Sequence, residues 1–139
     1  MVPDLQASIL CDDVRQEANG KFMLIGIFDG LMQAVNQTVC SRICLVNRWC
    51  MGEGNYTQRS RIMAPDGVTV VAEGQPVPIH LANEQQVATT VEVFINLAFH
   101  HPGTHWVEIL LDQQLRMRYP LHVRKVQPPS PHPPQQPQA

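Results

Sequence analysis

The 139-residue chain is 44% hydrophobic and 16% charged, and ten Lys+Arg against twelve Asp+Glu leave a formal net charge of −2. That balance fits a single globular domain with a sizeable core and excludes a strongly basic nucleic-acid binder. No apolar run reaches the ~18–20 residues of a membrane-spanning helix, and the opening MVPDLQAS lacks the basic-then-apolar pattern of a secretory leader, so a cytoplasmic location is expected.

In chain order, SILCDDV and FMLIGIF flank Asn19-Gly20, a strong hairpin signal because both residues tolerate positive φ. If these two form the whole turn, Asp12 faces Ile27 and Leu10 faces Asp29. Asp12 and Asp29 then lie diagonally on one face, ~7–8 Å apart. Residues 30–35 are the only stretch with any helical period. Cys40, Cys44 and Cys50 fall on one extended segment, with neighbours about 13 and 20 Å apart at ~3.3 Å per residue. Those separations are too long for a disulfide or a shared zinc ion, so these three and Cys11 are read as reduced thiols.

Pro65-Asp66-Gly67 separates strands expected at 56–64 and 68–74. Across 87–99 the odd positions Val87, Thr89, Val91, Val93, Ile95, Leu97 and Phe99 alternate with mainly small or polar residues, so the odd face is expected to be buried. Pro102-Gly103 leads into the inward row His105, Val107, Ile109 and Leu111. After Asp112-Gln113-Gln114 comes a last alternating strand, Leu115, Met117, Tyr119, Leu121 and Val123 against Gln114, Arg116, Arg118, Pro120 and His122. Pro120 cannot donate to a ladder, which places it at a sheet edge or a bulge. Residues 127–139, QPPSPHPPQQPQA, cannot bury enough surface to offset their ordering entropy and read as a disordered proline- and glutamine-rich tail. Residues 1–126 then form one all-β domain, an antiparallel two-sheet sandwich of immunoglobulin-like or Greek-key type with seven to eight strands.

The run Cys11-Asp12-Asp13-Val14-Arg15, with Asn19-Gly20-Lys21 and Leu24-Ile25-Gly26-Ile27-Phe28-Asp29, resembles the opening of a bacterial domain-of-unknown-function family of small β-sandwich proteins. Arg48-Trp49, Pro65-Asp66-Gly67, Pro102-Gly103 and Leu111-Asp112 extend the resemblance to roughly residues 5–123. The chain departs from the family pattern at His105, where an aromatic is common, and at Gln113, where a glycine is common. The resemblance implies the fold and a bacterial source, and it carries over no catalytic residue.

Motifs for chemistry are sparse. There is no Gly-x-Ser-x-Gly elbow, and Gly26, Gly52, Gly54 and Gly67 match no phosphate-cradling loop. Cys44 or Cys50 beside Arg42 and Arg48 comes nearest to an activated thiol, which needs an exposed, electropositive setting. No catalytic residue and no cofactor are expected. His100, His101 and His105 flank one turn and could offer imidazoles to a metal. Neighbouring His100 and His101 tend to point apart, however, and His105 stands where sandwiches lock a corner, so a structural His105 is favoured. Asp12 and Asp29 fall short of a calcium cage, with Asp12 expected to pair with an arginine such as Arg48 and Asp29 to cap the turn before Gly30. Arg116, Arg118, Arg124 and Lys125, without an interleaved aromatic, read as edge charges that block aggregation.

The expected function is a non-enzymatic protein-interaction or accessory module presenting an edge strand, a loop end or the tail to an unidentified protein partner. The alternative is a metal- or small-ligand-binding sandwich using the His100/His101/His105 tip. Neither a membrane nor nucleic acid is the expected partner, and the sequence leaves the binding residues and oligomeric state open.

Overall fold

The computed structural model describes residues 1–33 and 38–125; the expected tail lies outside the described residues. Ten strands are present among them: β1 (Asp4–Gln16), β2 (Phe22–Ile27), β3 (Leu31–Gln33), β4 (Thr38–Cys50), β5 (Gly54–Met63), β6 (Val70–Glu73), β7 (Val77–Leu81), β8 (Ala88–Phe99), β9 (Gly103–Leu111) and β10 (Gln114–Lys125). They form a two-sheet β fold as expected, a four-stranded sheet ordered β2-β1-β4-β8 and a six-stranded sheet ordered β3-β10-β9-β5-β6 with β7 also on β5. All pairs are antiparallel except β3 with β10. The strand expected at 68–74 is present as β6, and the strands beyond the expected seven to eight are the short β3 and β7, too brief to show a period. The helical signal at 30–35 gives way to strand β3 at Leu31–Gln33, where pairing with Val123–Lys125 outweighs a weak local preference; Ala34 and Val35 lie outside the described residues.

Side chains from both sheets fill the core, among them Ile43, Leu45, Trp49, Ile62, Phe94 and Phe99. The inward row His105, Val107, Ile109 and Leu111 is buried as its alternation predicts. The β1–β2 hairpin exists, but its register differs from expectation. Glu17 N–H donates to Lys21 O and Gly20 N–H to Glu17 O, with Gly20 at φ +91°. A three-residue loop with a left-handed glycine therefore replaces the two-residue turn, and Cys11 rather than Asp12 faces Ile27. Phe28, not Asp29, reaches Leu10.

Strand β8 departs from expectation more deeply. Phe94, Leu97 and Phe99 reach the core, whereas Val91, Val93 and Ile95 are exposed on the opposite face. Alternation changes phase around Asn96, which has a left-handed φ of +55°. The even residues near the middle of β8 are tolerated inside because the interior satisfies them. Gln58 Nε2 and Ser60 Oγ donate to Glu92 Oε1 at 2.8 and 2.7 Å, and Thr90 Oγ1 donates to Gln58 Oε1 at 2.9 Å. Trp49 Nε1 donates to the same Gln58 oxygen at 2.7 Å. Burial pushes the Glu92 carboxyl pKa up, against the two donors that hold it down.

At the other end of the chain, a register shift between Leu115 and Met117 leaves Leu115 exposed rather than in the buried row. Pro120 pairs with Trp106 of β9, while β3 covers the far side of β10 only at Val123–Lys125. Its missing N–H therefore lies where β3 does not pair, in keeping with the edge position expected of it.

Candidate interaction surface

Cross-strand partners share a face, so register alone builds the outer surface of the four-stranded sheet. Ile27 of β2 pairs with Cys11 of β1, Cys11 with Cys44 of β4, and Cys44 with Val93 of β8, one continuous row. The next row runs Ile9, Val46 and Val91, and Arg42 sits opposite Ile95. Cys11, Cys44 and Val46 are buried and form a second small apolar cluster, with Val14 and Leu24 packed against it. Around this floor the larger side chains stay open to solvent: Ile27 is 59% exposed, Val91 38%, Val93 45% and Ile95 67%. Four charged side chains share this face, Asp13, Arg15, Arg42 and Arg48. Asp13 accepts from Arg42 at 3.0 Å and Arg15 at 3.2 Å, which holds its carboxyl below the usual range, and Arg48 donates to the Gln6 amide oxygen at 3.2 Å.

The six-stranded sheet presents the opposite chemistry. Arg61 and Arg118 both bridge Glu108, at 2.6 and 3.5 Å, and the Arg118 guanidinium lies 3.9 Å over the Trp106 ring. Arg59 pairs with Glu73 at 3.2 Å. A depression of about 590 Å³ is lined by the Arg59–Glu73 pair, Arg61 and Asp112.

Residues singled out in the sequence fall on both sides of this division. Cys40, Cys44 and Cys50 do share one strand, and all four thiols are unbridged. The sequence did not show that Cys11 and Cys44 face each other, because β1 and β4 pair across a long separation in the chain that no local turn encodes. Burial pushes the Cys11 thiol pKa up, aided by the neighbouring Cys44, and burial raises Cys40 also, the opposite direction from an activated thiol.

His105 is 1% exposed, its ring edge-on to Phe99 at 5.0 Å, with Nδ1–H donating to Gly103 O at 3.3 Å. Burial holds its pKa below the ordinary imidazole value. His100 and His101 are exposed, and all three histidines border a depression of about 680 Å³ together with Asp66 and Asn96. Among the described residues, no three His, Cys, Asp or Glu side chains are grouped closely enough to hold a metal ion.

Asp12 does not pair with Arg48; its neighbour Asp13 takes Arg42 and Arg15. Asp12 instead lies over Gly26, where a Cβ would meet the carboxylate, so that contact requires glycine. Asp29 is exposed beyond the end of β2. In the basic stretch, Trp106 supplies Arg118 with the aromatic neighbour the sequence did not show, because the two meet across β9 and β10. Arg116 donates to Pro3 O at 3.2 Å, Arg124 is exposed, and the Lys125 side chain lies outside the described residues.

Residues 6–124 match DUF6941, a family of unknown function. No curated protein matches the sequence. Among solved structures, the chain is similar to the Pseudomonas fluorescens alkylpurine DNA glycosylase AlkC bound to DNA containing an abasic site analog, with 15% identity and a TM-score of 0.46. That match covers 68% of this chain and 29% of the glycosylase chain, so the chain spans under a third of it. No helix among the described residues is long and apolar enough to cross a membrane.

Proposed function

The chain belongs to the DUF6941 family, whose function is unknown, and we propose that it is a non-enzymatic protein-interaction module whose contact surface is the outer face of the four-stranded sheet. One observation carries this reading: Ile27, Val91, Val93 and Ile95 stand exposed around a buried apolar floor, on a face shared with Asp13, Arg15, Arg42 and Arg48. Contiguous exposed apolar surface on a folded domain marks contact sites. The partner is a protein offering an apolar patch with a carboxylate at its border, because Arg48 makes no ion pair among the described residues.

Four unbridged thiols, two of them directly opposite each other on neighbouring strands, favour a reducing compartment such as the bacterial cytoplasm. The proline-rich segment at residues 127–139 adds a second contact in this reading, through a groove that accepts proline.

The test is recovery of tagged full-length chain with its bound protein, identified by mass and then titrated as a purified component. Val91→Lys and Ile27→Lys should each weaken that interaction, while Arg59→Glu on the opposite sheet should leave it intact. Loss with Arg59→Glu alone would move the contact to the charged face.

A further inference from the structure

We infer that β8 is a pairing edge for a second copy of this chain, joining two four-stranded sheets into one. This shares Val91, Val93 and Ile95 with the surface above, but it rests on the open backbone edge of the strand rather than on that reading. Edge strands expose unpaired backbone groups and are ordinarily shielded by shortness, proline, kinks or charge. The other edges here carry such protection: β10, open where β3 does not pair, has Arg116, Arg118 and Pro120, and β1, open before Cys11, has Asp4 and a register shift between Leu5 and Ala7. β2 has six residues with Gly26 at φ +69°, β3 has three, β6 four, and β7 five including Pro78. β8 runs for twelve residues at the end of the β2-β1-β4-β8 order, and its left-handed Asn96 still leaves residues 88–95 as an unkinked edge. Its single charged side chain, Glu92, turns inward to Gln58 and Ser60, and its outward side chains from Thr89 to Ile95 are uncharged.

The occupant follows from charge and symmetry. Antiparallel pairing about Val93 sets Val93 against itself and Val91 against Ile95 of the second copy, with no like charges opposed on the outer side. Glu92 then faces Phe94 of the second copy rather than another carboxylate. The three apolar side chains of each copy would meet in the middle of an eight-stranded sheet and cover much of their own exposed surface. The chain's own tail is a poor alternative, since six prolines in residues 127–139 cannot donate to a ladder.

Sedimentation of the purified full chain tests this directly. A mass of two chains is expected, with Val93→Lys weakening the dimer by about tenfold or more through opposed ammonium groups. Mixing Val93→Lys with Val93→Glu should restore a heterodimer. Because Val93 is partly exposed, both variants should keep the wild-type far-UV circular dichroism, which is measured alongside to show that they fold. Ile27→Lys, on the same face but at the far edge, should leave the dimer unchanged; its loss would show stacking of whole faces and overturn the edge assignment. A monomer at every concentration, or a dimer indifferent to Val93→Lys, would also overturn it.

Discussion

The two outer faces of this sandwich solve the same problem in opposite ways. Outside the six-stranded sheet, arginines and carboxylates neutralise one another, and Trp106 is covered by Arg118. Outside the four-stranded sheet, Ile27, Val91, Val93 and Ile95 meet solvent directly, although the same fold could have placed charges there. Burial in the common core cannot explain this asymmetry, since neither set of residues points into it. An exposed apolar face is what the proposed contact requires, whereas a face of paired charges is suited to solvent.

The largest effect that could break this comparison comes from neighbouring residues on β8. Phe94→Ala should cost about 3–5 kcal/mol, the range for emptying a buried aromatic site, while Val93→Ala should stay within about 1 kcal/mol, as expected of a partly exposed side chain. Urea unfolding of both variants measures the difference. Equal costs would mean that Val93 is part of the core and that the apolar face does not exist.

That pair of residues also shows where the sequence misleads. Odd-position alternation in 87–99 is real, but in the middle of β8 it marks the outer face, and only beyond Asn96 do the odd residues Leu97 and Phe99 turn inward. Period-two patterning reports which residues are alike, not which side is wet. The usual inference from apolar to buried fails when the interior satisfies a carboxylate, as Gln58 and Ser60 do for Glu92. Strand β9 read correctly because its inward row is apolar apart from His105. The sandwich, most turns and the free thiols were legible because turn residues and spacing encode them locally. The exposed apolar row on the four-stranded sheet was not, since it depends on register between β1, β2, β4 and β8, and the glycine loop at Gly20 shifts the β1–β2 register by one residue.

The charged face can be sharpened by removing its hub. Glu108→Gln should cost about 1 kcal/mol because its arginine partners are partly exposed, and the loss should shrink in high salt as screening weakens both pairs. A salt-independent loss would indicate packing rather than ion pairing. At the β9–β10 turn, Asp112 and Gln113 have φ values of +47° and +68°, and Gln113→Gly should raise stability by relieving a left-handed side chain, by about 1 kcal/mol. No gain there would mean that Gln113 makes a compensating contact.

A smaller, pH-dependent effect belongs to the β5–β6 turn, away from both faces. Asp66 accepts from the Thr69 hydroxyl at 2.6 Å and from the Thr69 and Val68 amides, each at 2.8 Å. These donors, the Thr69 hydroxyl foremost, lower its pKa from 3.8 to about 2. A folded value below the unfolded one contributes stability above the unfolded pKa, and that contribution is lost as pH falls from about 4 toward 2. Thermal midpoints of Asp66→Asn should therefore fall less over that window than those of the natural chain. An identical slope would remove Asp66 from the acid response.

Site-specific photo-crosslinking in living cells tests the contact face most directly. A benzophenone side chain placed at Val93 should give discrete covalent adducts, either with a second copy or with a distinct protein, and the same probe at Arg59 should give none. Adducts from Arg59 alone, or from neither position, would contradict the assignment of the four-stranded sheet as the contact surface.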